Sequence, residues 1–156
     1  MICIDSDVLS IYHIFKNDQR FEINITFMKM TKEIKRAVTI FNLLELCGII
    51  SGASQHDARK IFEEYCMKKD IEILYPRITL SSEEEFWALQ NMELMKRIEK
   101  GMRLGDAAIL WVVETNPCDS FITWNKVHYV GKTKIEVLTP FEYLKSVDDK
   151  IDQIKE

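Results

Sequence analysis

The chain opens MICIDSDVLS (residues 1–10), and the reading of this stretch decides the architecture. Met1–Ile4 is apolar, too short for a helix and long enough for a buried strand. Asp5-Ser6-Asp7 closes that run with polar side chains that can cap a helix over Val8–Phe15. A buried strand passing directly into a capped helix is one half of a βαβ unit. The same punctuation recurs along the chain. A polar stretch Lys16–Asn24 leads into a helix through Arg36, and Ala37–Phe41 reads as a second strand. Asn42 caps a helix Leu43–Ile50, Ser51–Gln55 breaks it, and Ala58–Lys69 carries Ile61, Phe62, Tyr65 and Cys66 at helical spacing.

The second half repeats the pattern. Ile71–Tyr75 is a third strand stopped by Pro76. Ser81 and Ser82, each followed three residues later by a glutamate, give a doubled capping box opening a helix that ends near Gly101. Phe86, Leu89, Met92 and Met95 line one side of it. A further helix begins around Asp106, Asn116-Pro117 turns the chain, and Ser120–Trp124 and Lys134–Leu138 are strands four and five. Thr139-Pro140 with Glu142 then caps a last helix. Strands alternating with helices predict a single-domain α/β fold, a three-layer α/β/α sandwich around a parallel sheet of about five strands.

Composition limits the functions open to such a domain. The 156 residues include 47% hydrophobic positions, enough for one sizeable core and no second full domain. Twenty-one Lys and Arg against 25 Asp and Glu leave a net charge of −4. No overall basic surface therefore draws the protein to nucleic acid, and any such contact must come from a local patch or from metal ions. The four cysteines show no CxxC or zinc-knuckle spacing, and the three histidines show no HExxH. Reduced thiols in a cytoplasmic protein are expected. No apolar run approaches the ~20 residues of a membrane span.

Three acids occupy equivalent places in this scheme. Asp5 follows strand one, Glu45 lies just past strand two in the first turn of its helix, and Asp106 starts a helix. In an open parallel sheet, sites form beyond the carboxyl ends of the strands, where these three would gather. Clustered carboxylates stay ionised only beside a cation, and hard oxygen ligands suit Mg²⁺ or Mn²⁺. Such a cluster orients a water and a phosphodiester for in-line displacement. Each acid also has a plain structural reading: Asp5 and Asp106 as helix caps or first-turn acids, and Glu45 as the closure of a capping box with Asn42.

The segments ICIDSDVLS, TIFNLLELCGIIS, RLGDAAILWVVE, FITWNKVHY and EVLTPFEYL, in this order, resemble the PIN-domain family, which includes the VapC-type toxin ribonucleases. The resemblance covers nearly the whole chain. It implies a PIN-like nuclease domain over residues 1–145, with 146–156 a charged tail extending the last helix. It further implies that Asp5, Glu45 and Asp106 bind Mg²⁺ or Mn²⁺ in an endoribonuclease, that the chain forms homodimers, and that a small antitoxin protein inserts into the cleft. Asn125 stands where many family members carry a fourth acid, so the site holds one negative charge fewer. Asp7 or Asp119 can restore it, Asp7 being preferred because it shares a strand end with Asp5. Thr123 can bond one of the carboxylates or serve as an ordinary strand residue.

Two competing readings follow. The loss of the fourth acid also suits a non-catalytic binding module on the same fold. Asp5-Ser6-Asp7-Val8 resembles the opening of haloacid-dehalogenase-type phosphatases, with Asp5 as nucleophile, but no second acid closely follows Asp106 and Glu45 then has no role. Lys96, Lys100 and Arg103 fall on one helix side as a ridge that can track RNA phosphates or simply be solvated, and Lys126 and His128 follow strand four. Lys29, Lys32, Lys35 and Arg36 form a second basic cluster with the same two readings. Trp111 reads as core, Trp124 as packing or a rim contact, and Met28, Met30, Met92, Met95 and Met102 as core fillers.

Overall fold

The computed structural model describes residues 1–68, 70–79 and 82–154. Five short parallel strands form its centre: β1 (Ile2–Ile4), β2 (Arg36–Thr39), β3 (Ile71–Leu74), β4 (Ser120–Ile122) and β5 (Glu136–Leu138). They lie in the order β3-β2-β1-β4-β5. Around them run α1 (Ser6–His13), α2 (Phe21–Met30), α3 (Ile40–Ser51), α4 (Gln55–Met67), α5 (Glu83–Glu99), α6 (Leu104–Glu114) and α7 (Pro140–Ile154). The chain builds outward from β1 to β3, crosses back through α5 and α6, and continues from β4 to β5. Strand order thus reverses between β1 and β4, and that is where a crevice opens at the carboxyl edge.

Alternation along the strands divides the core into two layers. Cys3, Ala37 and Phe121 face one side, where they meet α6 through Ala107, Leu110 and Trp111. Ile2, Ile4, Val38 and Ile122 face the other and pack on Val8, Leu9, Phe27 and Leu43. Residues with a period of two, buried on both faces, are what a central parallel sheet requires. Register pairs Cys3 with both Ala37 and Phe121, and Ile4 with Ile122. The ladder extends one step further, because the Asp5 amide donates to the Ile122 carbonyl at 2.9 Å.

Several boundaries differ from those the sequence suggests, each for a physical reason. The second strand ends at Thr39 and not at Phe41, because Thr39 is the true cap of α3. Its hydroxyl accepts from the Asn42 amide at 3.0 Å, and Asn42 Oδ1 accepts from the Thr39 N–H at 3.2 Å and from the Thr39 hydroxyl at 2.7 Å. Asn42 therefore completes the capping box, which leaves Glu45 free of that duty and in the second helical turn. The helix expected up to Arg36 stops at Met30, and Arg36 is a buried strand residue. Asp5 does cap α1, accepting from the Ser6 N–H. Ser82 caps α5 through the Glu85 amide, whereas the companion cap expected at Ser81 lies outside the described residues. Met28 and Met102 are core, but Met30, Met92 and Met95 are about half exposed, the last two because α5 turns its Phe86, Leu94 and Ile98 side inward. No helix among the described residues is long and apolar enough to cross a membrane.

Thr39→Ala removes both hydroxyl bonds of the α3 capping box. Denaturant unfolding should show a loss of about 1–2 kcal/mol relative to the wild type.

Candidate active site

The crevice at the switch point is a cleft of about 370 Å³ lined by Asp5, Asp7, Glu45, Asp106, Asn125 and Arg103, among others. Each acid arrives there by a different route. β1 delivers Asp5 as its next residue, and the first turn of α1 adds Asp7. Glu45 projects from the second turn of α3. Asp106 is the third residue of α6, and helix N-termini favour anions.

Asp5 is almost wholly buried, at 3% exposure. Its Oδ1 accepts from the Ser6 N–H at 2.8 Å, the Asn42 side-chain amide at 2.8 Å and the Ser6 hydroxyl at 3.3 Å. The Ser6 hydroxyl also lies 2.6 Å from Glu45 Oε2, so one oxygen bridges Asp5 and Glu45. Asp7 Oδ2 accepts from the Trp124 and Asn125 amides at 2.9 and 3.0 Å and from the Thr123 hydroxyl at 3.2 Å. Asp7 Oδ1 is buried and has no hydrogen-bond partner among the described residues. Asp106 Oδ1 accepts from the Tyr129 hydroxyl at 3.2 Å, and its Oδ2 lies 3.2 Å from His128 Nδ1.

Asp5 and Asp7 resist ionisation. Burial, followed by the charge of Asp7, pushes Asp5 up to about 8 against the pull of the Thr123 hydroxyl and the Ser6 N–H. Burial likewise raises Asp7 to about 6, despite its three donors at β4. Tyr129 is raised well above its ordinary range, by burial and then by Asp5 and Asp106, so its hydroxyl remains a donor. A buried carboxylate with one orphaned oxygen, next to another carboxyl driven upward, is short of positive charge.

The expected residues divide in their placement. Asp5, Asp7, Glu45, Asp106, Asn125 and Arg103 line one cleft. Asp119 pairs with the N-terminal amine at the opposite, amino edge of the sheet. Lys126 pairs with Glu142 at 2.8 Å, Lys96 pairs with Glu93 at 2.7 Å, and Lys100 lies beside the loop before β5. Trp124 packs against the core, its ring N–H bonded to buried Asn24 and its face covered by Arg20 at 5.5 Å. Sequence reasoning passed over Ser6, Asn42 and Tyr129. Ser6 could have been found from its place between two acids, whereas Asn42 was masked by its capping role. Tyr129 carried no signal, since a lone tyrosine reads as packing.

Among the described residues, no three His, Cys, Asp or Glu side chains form a ready-made metal centre. The acids instead hold protein partners around a shared space, Asp5 and Glu45 having the Ser6 hydroxyl in common. The donor set nevertheless fits a hard divalent cation: four carboxylates and an amide line the cleft, and Asp7 Oδ1 lacks a partner among the described residues.

Comparison with solved structures identifies the architecture. The sarcin–ricin-loop-cleaving toxin VapC20 of Mycobacterium tuberculosis superposes with a TM-score of 0.57 at 12% identity, covering 78% of this chain and 87% of that one. A toxin–antitoxin complex from Klebsiella pneumoniae gives 0.53 at 17%, covering 90% and 98%. VapBC2 of Rickettsia felis, bound to a DNA fragment from its promoter, gives 0.56 at 15%, covering 88% and 97%. The chain has the PIN-domain fold of the VapC-type toxins. No family model matches the sequence, and no curated protein does.

The charge in the cleft has a consequence for stability. Asp5 and Asp7 bind protons more tightly when folded than when unfolded, so their contribution is fullest below about pH 4 and is lost as pH rises through about 6 and 8. Asp5→Asn keeps a capping oxygen and removes the charge. In EDTA, its Tm should exceed that of the wild type by roughly 3–10 °C at pH 8. The difference should vanish near pH 4.

Proposed function

We propose that this protein is an endoribonuclease that hydrolyses RNA phosphodiester bonds with Mg²⁺ or Mn²⁺ held by Asp5, Glu45 and Asp106, and that it acts as the toxin of a toxin–antitoxin pair. The observation that carries this reading is the charge shortage in the cleft: burial, joined at Asp5 by the charge of Asp7, holds Asp5 and Asp7 protonated above their ordinary range, and Asp7 Oδ1 has no partner among the described residues. When bound, a divalent ion supplies charge stabilisation for the attacking and leaving oxygens of in-line displacement.

The chain's own residues divide the remaining work. Asn42 and the Ser6 N–H fix Asp5 Oδ1, the Ser6 hydroxyl couples Asp5 to Glu45, and Tyr129 fixes one oxygen of Asp106. Thr123 and the two amides after it hold Asp7 as a neighbouring acid. This carboxylate makes up for the charge absent at Asn125. Arg103, just before α6, is the cation in the cleft wall suited to a phosphate. The neighbours bear on partners too, since complexes such as the Klebsiella pair contain a toxin and an antitoxin together. A small antitoxin is proposed for this chain, along with a homodimeric state, a cytoplasmic location and a nuclease domain over residues 1–145. The phosphatase reading leaves Glu45 idle, whereas here Glu45 shares the Ser6 hydroxyl with Asp5.

Two measurements test the proposal. Mn²⁺-dependent cleavage of single-stranded RNA should fall about 100-fold or more in Asp106→Asn, with Tm unchanged or raised. Calorimetric titration should show an ion bound by the wild type and lost in Asp5→Asn. No binding at millimolar Mn²⁺ would favour the non-catalytic module, and an aspartyl phosphate trapped at Asp5 would favour the phosphatase.

A further inference from the structure

A second pocket lies at the opposite end of the sheet. α1, α2 and α4 all finish at the amino edge, and with the starts of β2 and β3 they enclose a cavity of about 270 Å³. Its floor holds Arg36, whose side chain is 3% exposed. Arg36 donates to the Met28 carbonyl at 3.0 Å and to Asp70 at 3.1 Å, while its Nε is buried and has no acceptor among the described residues. Lys29, Lys32 and Lys68 stand around it, all exposed. Among the described residues Lys29 and Lys32 form no ion pair, while Lys68 is shared with Glu64 at 3.1 Å. Asp70 is the only carboxylate among the described residues of the pocket wall, and it is half exposed.

Four cations against one acid is a local excess of positive charge in a protein whose net charge is −4. The carboxyl ends of three helices converge here, and their dipoles account for part of that gathering. They do not account for the buried guanidinium charge of Arg36 on the pocket floor, whose acidic partner among the described residues is the half-exposed Asp70. The walls are also aromatic. Tyr12 lines the cavity, and Tyr65 shares a hydrogen bond of 2.9 Å with His13 Nε2. Burial, and then the charge of Lys68, holds His13 down to about 4, so at neutral pH it adds no further charge. The space is too large for a lone phosphate and matches one phosphate joined to a sugar and a flat ring.

We propose that this amino-edge pocket binds a phosphomonoester of mononucleotide size, with Lys29, Lys32 and Lys68 taking the phosphate above the buried Arg36 and Tyr12 beside the base. The ligand is either a free nucleotide or the 5′-terminal nucleotide of an RNA. The site is separate from the acidic cleft and does not depend on the nuclease reading.

Titration calorimetry in EDTA, with AMP, inorganic phosphate, adenosine and a 2′-O-methyl trinucleotide with or without a 5′-phosphate, tests it. AMP should bind about tenfold or more tightly than phosphate, and adenosine not measurably. Lys32→Glu, which breaks no ion pair among the described residues, should weaken AMP about tenfold or more without shifting Tm; Lys68→Glu should weaken it as much while lowering Tm by at most about 4 °C through loss of the Glu64 pair, and Asp106→Asn leaves AMP binding unchanged. If the 5′-phosphorylated trinucleotide competes with AMP and its 5′-hydroxyl counterpart does not, the RNA terminus is the source. If only AMP binds, the free nucleotide is. No AMP binding at millimolar concentration overturns the proposal. So does AMP binding that survives both lysine substitutions, or phosphate binding as tight as that of AMP.

Discussion

The structure turns on the cost of placing Asp5 and Asp7 together at the end of a buried strand. Taking a carboxylate out of water is expensive, and a second one beside it adds repulsion. The fold accepts this because β1 must be buried on both faces to hold the sheet, and its continuation leads directly into the crevice between β1 and β4. Ser6, Asn42 and the amides after Thr123 offset part of the cost by donating to fixed oxygens. They do not remove it, since both carboxyls remain shifted upward. This shortage of positive charge is the basis of the proposed metal binding.

The two edges of the sheet carry opposite chemistry. At the carboxyl edge, helix N-termini and strand ends assemble acids. At the amino edge, the ends of α1, α2 and α4 assemble Lys29, Lys32, Lys68 and the buried Arg36. α1 connects them, with Asp5 capping its start and Tyr12 and His13 in its last turn. A net-acidic protein can thus present one confined basic surface without weakening its acidic cleft, because the two lie at opposite ends of a helix of eight residues.

Much of the fold was legible in the sequence because the signals were redundant. Met1–Ile4 followed by Asp5, and Thr139-Pro140 followed by Glu142, each combine a hydrophobic run with a cap. The boundary errors arose where one residue served two purposes. Asn42 looked like a cap because asparagine usually is one, but Thr39 holds that place and Asn42 uses its remaining amide hydrogens on Asp5. Arg36 looked like the end of a basic helix because an arginine inside a buried strand is rare; only the tertiary partners Met28 and Asp70 reveal why it is tolerated. Asp5, Glu45 and Asp106, three of the four acids lining the cleft, could be named from their positions after strands and at helix starts. The Ser6 bridge and the Tyr129 contact depend on side-chain directions that no local pattern encodes.

Diffraction from crystals grown in Mn²⁺, recorded at the manganese absorption edge, tests the central claim most directly. An anomalous peak within coordination distance of Asp5 and of at least one of Glu45 and Asp106 is the result this account predicts. A cleft with no peak at saturating Mn²⁺, or manganese bound only elsewhere on the molecule, would contradict it.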